Sequence, residues 1–412
     1  MKMLENYDKK VFDIIQKELK RQEEEIELIA SENYVSKAVL EAIWSIFTNK
    51  YAEGYPWKRY YEGCEYVDEI ENLAIQRVKK LFGAEYVNVQ PLSWSPANLA
   101  VYLAFLNPGD KILSLSLDQW GHLSHGHFLN FSGKFYNIIP YHLDKETEEI
   151  DMDEVEKLAL KEKPKLILSW FSAYSKNLDW KRFREISDKV GAILMWDISH
   201  IAWLIAWWVL ENPVPYLDII TTTTHKTLRW PRWAIIMAKE KFAKKLDTAV
   251  FPWIQGWPHV NLITAKAVAF KEALEPSFKE YAQQVVKNAK VFAKILIDNN
   301  FKVVSNWTQN HIVLVDVYKS LGISWKQAEQ ILKKVWISVN KNMVPYDTRK
   351  PLDPSWVRIW TSAITTRWMK EKEVETIAEI FIQALKNKDN ETKLKELREK
   401  GLKLCNMFPI YK

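Results

Sequence analysis

Glycine is scarce in this chain, 11 of 412 residues or about 2.7%, where globular proteins average about 7%. A fold rich in tight turns needs backbone at positive φ, which glycine supplies most cheaply. Cysteine is nearly absent. Cys64 and Cys405 form no disulfide framework, and a reducing compartment is expected. Long apolar runs are missing too: the longest, residues 201–210, covers about half a membrane span. The polar start, Met-Lys-Met-Leu-Glu-Asn, is unlike a secretory signal. A cytoplasmic, soluble protein without a membrane partner is expected. Neither sign of charge dominates: Lys+Arg 58 against Asp+Glu 52 gives +6. That balance suits an anionic small ligand and lacks the concentrated basic face of a nucleic-acid binder.

Tryptophan, by contrast, numbers 20. The remaining composition, 48% hydrophobic and 27% charged, is that of a globular protein with two or three domains. Residues 8–30 carry apolar side chains at helical spacing, and residues 1–50 are expected to form an N-terminal helical arm. Over 51–272, β-rich runs at 86–90, 111–116, 135–143, 165–169, 192–196, 218–223 and 234–238 alternate with helical stretches such as 96–106, 153–162 and 181–189. This rhythm predicts an α/β domain: a mostly parallel, seven-stranded sheet with helices on both faces. From 273 to 412 the order changes to a long helix, short strands and further helices, predicting a smaller C-terminal α+β domain.

Ligands of open α/β sheets bind at the carboxyl ends of the strands, and three such ends carry suggestive residues. Ser93-Trp94-Ser95-Pro96 precedes an apolar helix. Ser95 can cap it, Pro96 suits its first turn, and the two hydroxyls suit a phosphate. An ordinary Ser-Pro helix start looks the same. Asp197 closes Ala-Ile-Leu-Met-Trp-Asp, with His200 three residues on. A buried carboxylate there needs a cation or donor, although a helix cap is the plain alternative. Lys226 follows Thr221-Thr222-Thr223-Thr224-His225. A lysine past a buried strand can form a Schiff base, whereas a lone lysine is commonly a solvated surface group. Together, a phosphate cup, a carboxylate and an amine at three strand ends match the needs of pyridoxal phosphate. His122, His125 and His127 could instead gather zinc, but no nearby Cys, Asp or Glu completes the set.

The segments Ile-Ala-Ser-Glu-Asn (29–33), Thr-Asn-Lys-Tyr-Ala-Glu-Gly-Tyr-Pro (48–56), Arg-Tyr-Tyr (59–61), Gly-His-Leu-Ser-His-Gly (121–126), Phe-Ser-Ala-Tyr (171–174) and Thr-Thr-Thr-Thr-His-Lys-Thr-Leu (221–228) resemble serine hydroxymethyltransferase, from about residue 8 to the end. The resemblance implies a fold-type-I pyridoxal phosphate enzyme that converts serine and tetrahydrofolate to glycine and 5,10-methylenetetrahydrofolate. It implies Lys226 as the Schiff-base lysine, Asp197 at the pyridinium nitrogen and His122 stacked on the ring. Ser93 and Ser95 match the phosphate cup, and Ser172 and His200 lie near the ring hydroxyl. Arg358 matches the grip on the substrate carboxylate, a bidentate task suited to guanidinium. Ser31 and Tyr61 resemble its neighbours, and Glu53 resembles the acid/base group beside the serine hydroxymethyl. The resemblance also implies Tyr51 at the cofactor. Thr223 and His225 belong to the lysine segment, His225 at a position that influences specificity, and Arg232 supports that loop. Leu117, Gly121, His122 and Leu123 match the folate pocket. Tyr51, Glu53 and the 253–258 loop with Gly256 serve a neighbouring subunit, implying a homodimer or tetramer. Two other functions stay open: a threonine aldolase-like enzyme, and an inactive scaffold of the same fold.

The chain departs from that family mainly in one way. All but three of its 20 tryptophans (Trp180, Trp196 and Trp207) stand where the family has glycine. Milder departures are Glu62, Pro96, Ser199 and Ser362. Some genetic codes read UGA as glycine and others as tryptophan, so a gene of the first kind translated by the second would show this pattern. Adding those 17 to the 11 glycines gives 28 of 412, about 6.8%, close to the usual level. Taken as tryptophan, Trp94 and Trp257 would crowd the phosphate site, and Trp356 and Trp360 would bracket Arg358.

Overall fold

The computed structural model describes residues 2–116, 119–171, 173–226, 228–342, 346, 347, 349 and 353–411. They form two compact units. The larger comprises Asn33–Gln283 with Val344–Tyr346, and the smaller comprises Met1–Glu32, Gln284–Met343 and Asp347–Lys412. Residues 1–32 thus group with the C-terminal segment: Ile26 and Glu27 pair in parallel with Ile337 and Ser338.

The larger unit is built on seven strands: β1 (Tyr86–Asn88), β2 (Lys111–Leu115), β3 (Asn137–Tyr141), β4 (Leu166–Ser169), β5 (Ile193–Asp197), β6 (Ile219–Thr223) and β7 (Ala234–Ala238). Their order across the sheet is β1-β7-β6-β5-β4-β2-β3. Six run one way, and β7 is antiparallel to both neighbours. All seven lie where the alternation of the sequence predicts; apart from the closing Ser169 and Asp197, β4 to β7 are apolar or threonine runs, the pattern of strands covered on both faces. The helices Trp94–Phe105, Met152–Glu162 and Trp180–Val190 likewise fall within two residues of expectation. Ala97, Val101, Leu166, Met195, Ile219 and Ile236 share one buried core.

The smaller unit holds an antiparallel sheet of β8 (Lys302–Val303), β9 (Ile312–Asp316), β10 (Asn340–Asn342) and β11 (Trp356–Trp360), in the order β8-β9-β11-β10. Ile337–Ser338 is a separate short strand just before β10. Phe292, Val313, Val315, Leu332, Val357, Ile377 and Phe381 form its core. Among the described residues no helix is long and apolar enough to cross a membrane.

Candidate active site

The carboxyl ends of β5 and β6 converge on Asp197. This carboxylate is 1% exposed and has several donors. Oδ1 accepts from the Ser199 amide at 3.0 Å and its hydroxyl at 2.6 Å, and Oδ2 accepts from Asn98 Nδ2 at 3.1 Å. His125 Nε2 lies 3.4 Å away. Burial acts to raise the Asp197 pKa, but His125, Lys226 and Ser199 outweigh it and hold the carboxyl below its ordinary value. The opposite balance applies to His125, whose pKa burial lowers despite Asp197. A neutral imidazole beside an anionic carboxylate follows.

Trp94 joins this group. Its indole N–H donates to Asp197 Oδ2. One indole face stacks on His122, with ring centres 3.7 Å apart and planes 14° from parallel. The Lys226 ammonium lies 3.4 Å from the indole ring centre, within cation–π range, and Lys226 is itself 2% exposed. Trp170 and His200 complete the surround, 5.1 and 5.9 Å from the Trp94 ring centre. A flat aromatic ring is therefore held by a stacking imidazole, a carboxylate at its nitrogen and an amine.

Local sequence explains the placement. Ser93, with extended backbone, is the N-cap of the helix Trp94–Phe105 and makes no side-chain cap bond. The expected cap, Ser95, instead lies in the first turn, so the helix begins two residues earlier than Pro96 suggests. Its hydroxyl-rich start therefore stays open to a ligand. Asn98, one turn in, bridges Asp197, Ser124 and the Thr221 hydroxyl. In the sequence, only the polar identity of His125 and Asn98 on an apolar helix or loop marks them as partners of Asp197. Ser199 ties Asp197 to β6 by accepting from the Thr223 amide at 2.9 Å.

The lysine segment is pinned by Thr224, whose hydroxyl donates to Pro231 O at 2.5 Å and whose amide donates to Trp233 O. Asn33 Nδ2 donates to the Lys226 carbonyl. His225 is neutral: burial, then Lys226 and Arg232, lower its pKa to about 3. Arg232 is exposed. Gly121 has no room for a side chain, since a Cβ there would fall 2.3 Å from Leu115 O. Leu123 is 47% exposed. Leu117 and Ser172 lie outside the described residues.

Tyr51, Glu53, Tyr61 and Gly256 form a second, largely exposed cluster. Tyr51 and Tyr61 meet edge to face at 4.9 Å, and Tyr51 stacks on Trp257 at 4.7 Å. Glu53 Oε1 lies 3.0 Å from where a Cβ of Gly256 would be. In the smaller unit, Ser31 has φ of 112°, a strained backbone for serine. Arg358 lies in β11, where side chains two apart share a face, so Trp356 and Trp360 flank it. Burial lowers its pKa to about 10, leaving the guanidinium charged at neutral pH.

The donor set Asp197, His122 and Lys226 has the chemistry of a pyridoxal phosphate site: a carboxylate for a ring nitrogen, a stacking partner and an aldehyde-capturing amine. The space does not fit it. The Trp94 indole occupies the slot between these three groups, so the chain as written has no room for the cofactor ring there. The polar frame nevertheless matches the sequence motifs in order. A family model described as Serine hydroxymethyltransferase matches residues 4–381, and the chain belongs to that family.

Proposed function

We propose that the site, with its slot open, transfers the hydroxymethyl carbon of serine to tetrahydrofolate, giving glycine, 5,10-methylenetetrahydrofolate and water. The observation that carries this reading is the arrangement of Asp197, His122 and Lys226 around one planar ring. In this family pyridoxal phosphate acts as an electron sink for amino-acid chemistry. With the indole in the slot, no step through it is open to this chain.

The residues' own tasks follow from their chemistry. Lys226 and Asp197 would hold the two ends of the cofactor ring, His122 its face and His200 its edge. Ser93, Ser95 and Gly256 would take its phosphate, helped by the open helix start. Arg358, charged and partly desolvated, suits the serine carboxylate, and by the family resemblance Ser31 and Tyr61 are also assigned to the substrate and cofactor. Glu53 is proposed to move the proton of the serine hydroxyl, a role within reach of a carboxylate. Neutral His225 and Thr223 shape the floor beside Lys226, and Arg232 steadies their loop. Gly121 and Leu123, with Leu117, are assigned to the pterin. Exposure of Tyr51, with half-buried Glu53 beside it, supports a homodimer in which they complete a partner's site.

A second reading has a specific observation behind it. Because Trp94 plugs the slot, the chain as written could be a scaffold without catalysis. The two are separated by assaying Trp94→Gly, supplied with pyridoxal phosphate, for glycine formed from serine. Glycine production that requires tetrahydrofolate supports the transferase. Production from threonine without folate would point to an aldolase, and none from either would favour the scaffold.

A further inference from the structure

Thirteen non-glycine residues have positive φ among those described, and five of them are tryptophan: Trp57, Trp120, Trp208, Trp336 and Trp368, at 57° to 74°. Tryptophan makes up 20 of 412 residues, so at that rate about 0.6 of the 13 would be expected. A bulky residue in this region is an outlier that calls for a reason.

The positions are those of glycine by local geometry. Trp208 and Trp368 each follow the last residue of a helix, Ala202–Ala206 and Ser362–Thr366, by two. Trp208 N donates to Ile205 O and Val209 N to Leu204 O; Trp368 N donates to Thr365 O and Met369 N to Ile364 O. These paired bonds are the Schellman ending, whose left-handed residue is usually glycine. The chain uses glycine for it elsewhere: Gly191 N donates to Asp188 O and Ala192 N to Ser187 O, with Gly191 at φ 66°. Trp336 stands at the same place after Trp325–Lys334, donating to Lys333 O. Trp57 follows Pro56 in a two-residue hairpin loop, the position a type II turn reserves for glycine.

The side chains tell the same story. Trp170, Trp230 and Trp233 bury indole N–H groups that meet no acceptor among the described residues, whereas a buried tryptophan ordinarily finds one. Trp207, outside the glycine-like set, does: its indole donates to Ala273 O at 2.6 Å. Trp94 fills the one slot framed by Asp197, His122 and Lys226.

We propose that the polypeptide made in its own cell carries glycine at Trp57, Trp94, Trp120, Trp208, Trp336 and Trp368, and at the other tryptophans of the same set. The codon concerned is one that a different genetic code reads as tryptophan. Trp180 and Trp207 stay tryptophan. At Trp57, Trp120, Trp208, Trp336 and Trp368 this inference rests on backbone geometry, at Trp94 on the filled slot and at the remaining positions on the family resemblance; it does not depend on the reaction proposed above.

The test is peptide mass spectrometry on the protein purified from the cell whose gene encodes it. Trypsin yields peptides 51–58, 177–181 and 335–341. Peptides 51–58 and 335–341 are each expected to be lighter by one indolylmethylene unit, with 177–181 at full tryptophan mass. Full tryptophan mass at 57 and 336 would overturn the proposal. The coding DNA gives an independent answer that needs no folded protein: UGA at 57, 94 and 336 with UGG at 180 supports it, and UGG at 57 and 336 overturns it.

Discussion

The Trp94 indole and the His122 imidazole stack face to face, 3.7 Å between ring centres and 14° from parallel. A stacking imidazole at the carboxyl edge of this sheet thus has a planar partner supplied by the chain itself. The first expectation concerns its removal. Overpacking in a filled site typically costs about 1–3 kcal/mol, and about 1.4 kcal/mol is tenfold in affinity. Trp94→Gly should therefore strengthen pyridoxal phosphate binding by about 5- to 150-fold. Titration followed by visible absorption measures this, and unchanged affinity would mean that the indole is not what closes the slot.

Helix endings offer a stability test. Trp208 and Trp368 are 75% and 64% exposed, so replacing them loses little burial. Relief of the left-handed penalty, about 1–2 kcal/mol, is partly offset by the entropy of glycine. Trp208→Gly and Trp368→Gly should each stabilise by about 0.5–1 kcal/mol in urea denaturation. Trp207→Gly, which loses the bond to Ala273 O, should destabilise.

Much of this was legible in the sequence. Seven strands and their helices follow from apolar runs punctuated by polar turns, and Asp197 and Lys226 were marked by closing two of those runs. What the sequence did not display was the company Asp197 keeps. Asn98 and His125 reach it from separate segments, brought together only by the sheet order β6-β5-β4-β2, which no local pattern encodes. Pro96 points to a helix start two residues after the true one at Trp94, because proline is equally acceptable a little inside the first turn. The tryptophan excess was visible as a count, but its meaning at helix ends needed backbone angles.

Acid should destabilise the smaller unit through His311. This side chain is fully buried, and burial followed by Arg358 lowers its pKa to about 3, against about 6.5 unfolded. A depressed histidine favours the folded state fully above about pH 6.5 and loses that contribution as pH falls toward 3. At pH 5.5 the loss is about 1.4 kcal/mol relative to pH 7.5. His311→Gln should flatten the fall in stability between these pH values, whatever its effect on the baseline. An unchanged slope would assign the acid sensitivity elsewhere.

Asp197 is the hub of the polar frame. Truncating it leaves Asn98, Ser199 and His125 facing an empty acceptor position, and breaking such buried charged networks costs about 3–5 kcal/mol. Asp197→Ala should lose that much stability by denaturant titration at neutral pH. Asp197→Asn, which keeps an acceptor oxygen, should lose clearly less. Equal losses would show that the charge, rather than the hydrogen bonds, holds the frame.

The central claim is that Asp197, His122 and Lys226 frame a cofactor slot which Trp94 blocks. Reductive trapping tests it most directly: each protein is mixed with pyridoxal phosphate, treated with borohydride, digested and mapped. The account predicts the phosphopyridoxyl label on Lys226 in Trp94→Gly and little there in the chain as written. A label spread over surface lysines in both proteins, with none on Lys226 in Trp94→Gly, would contradict it.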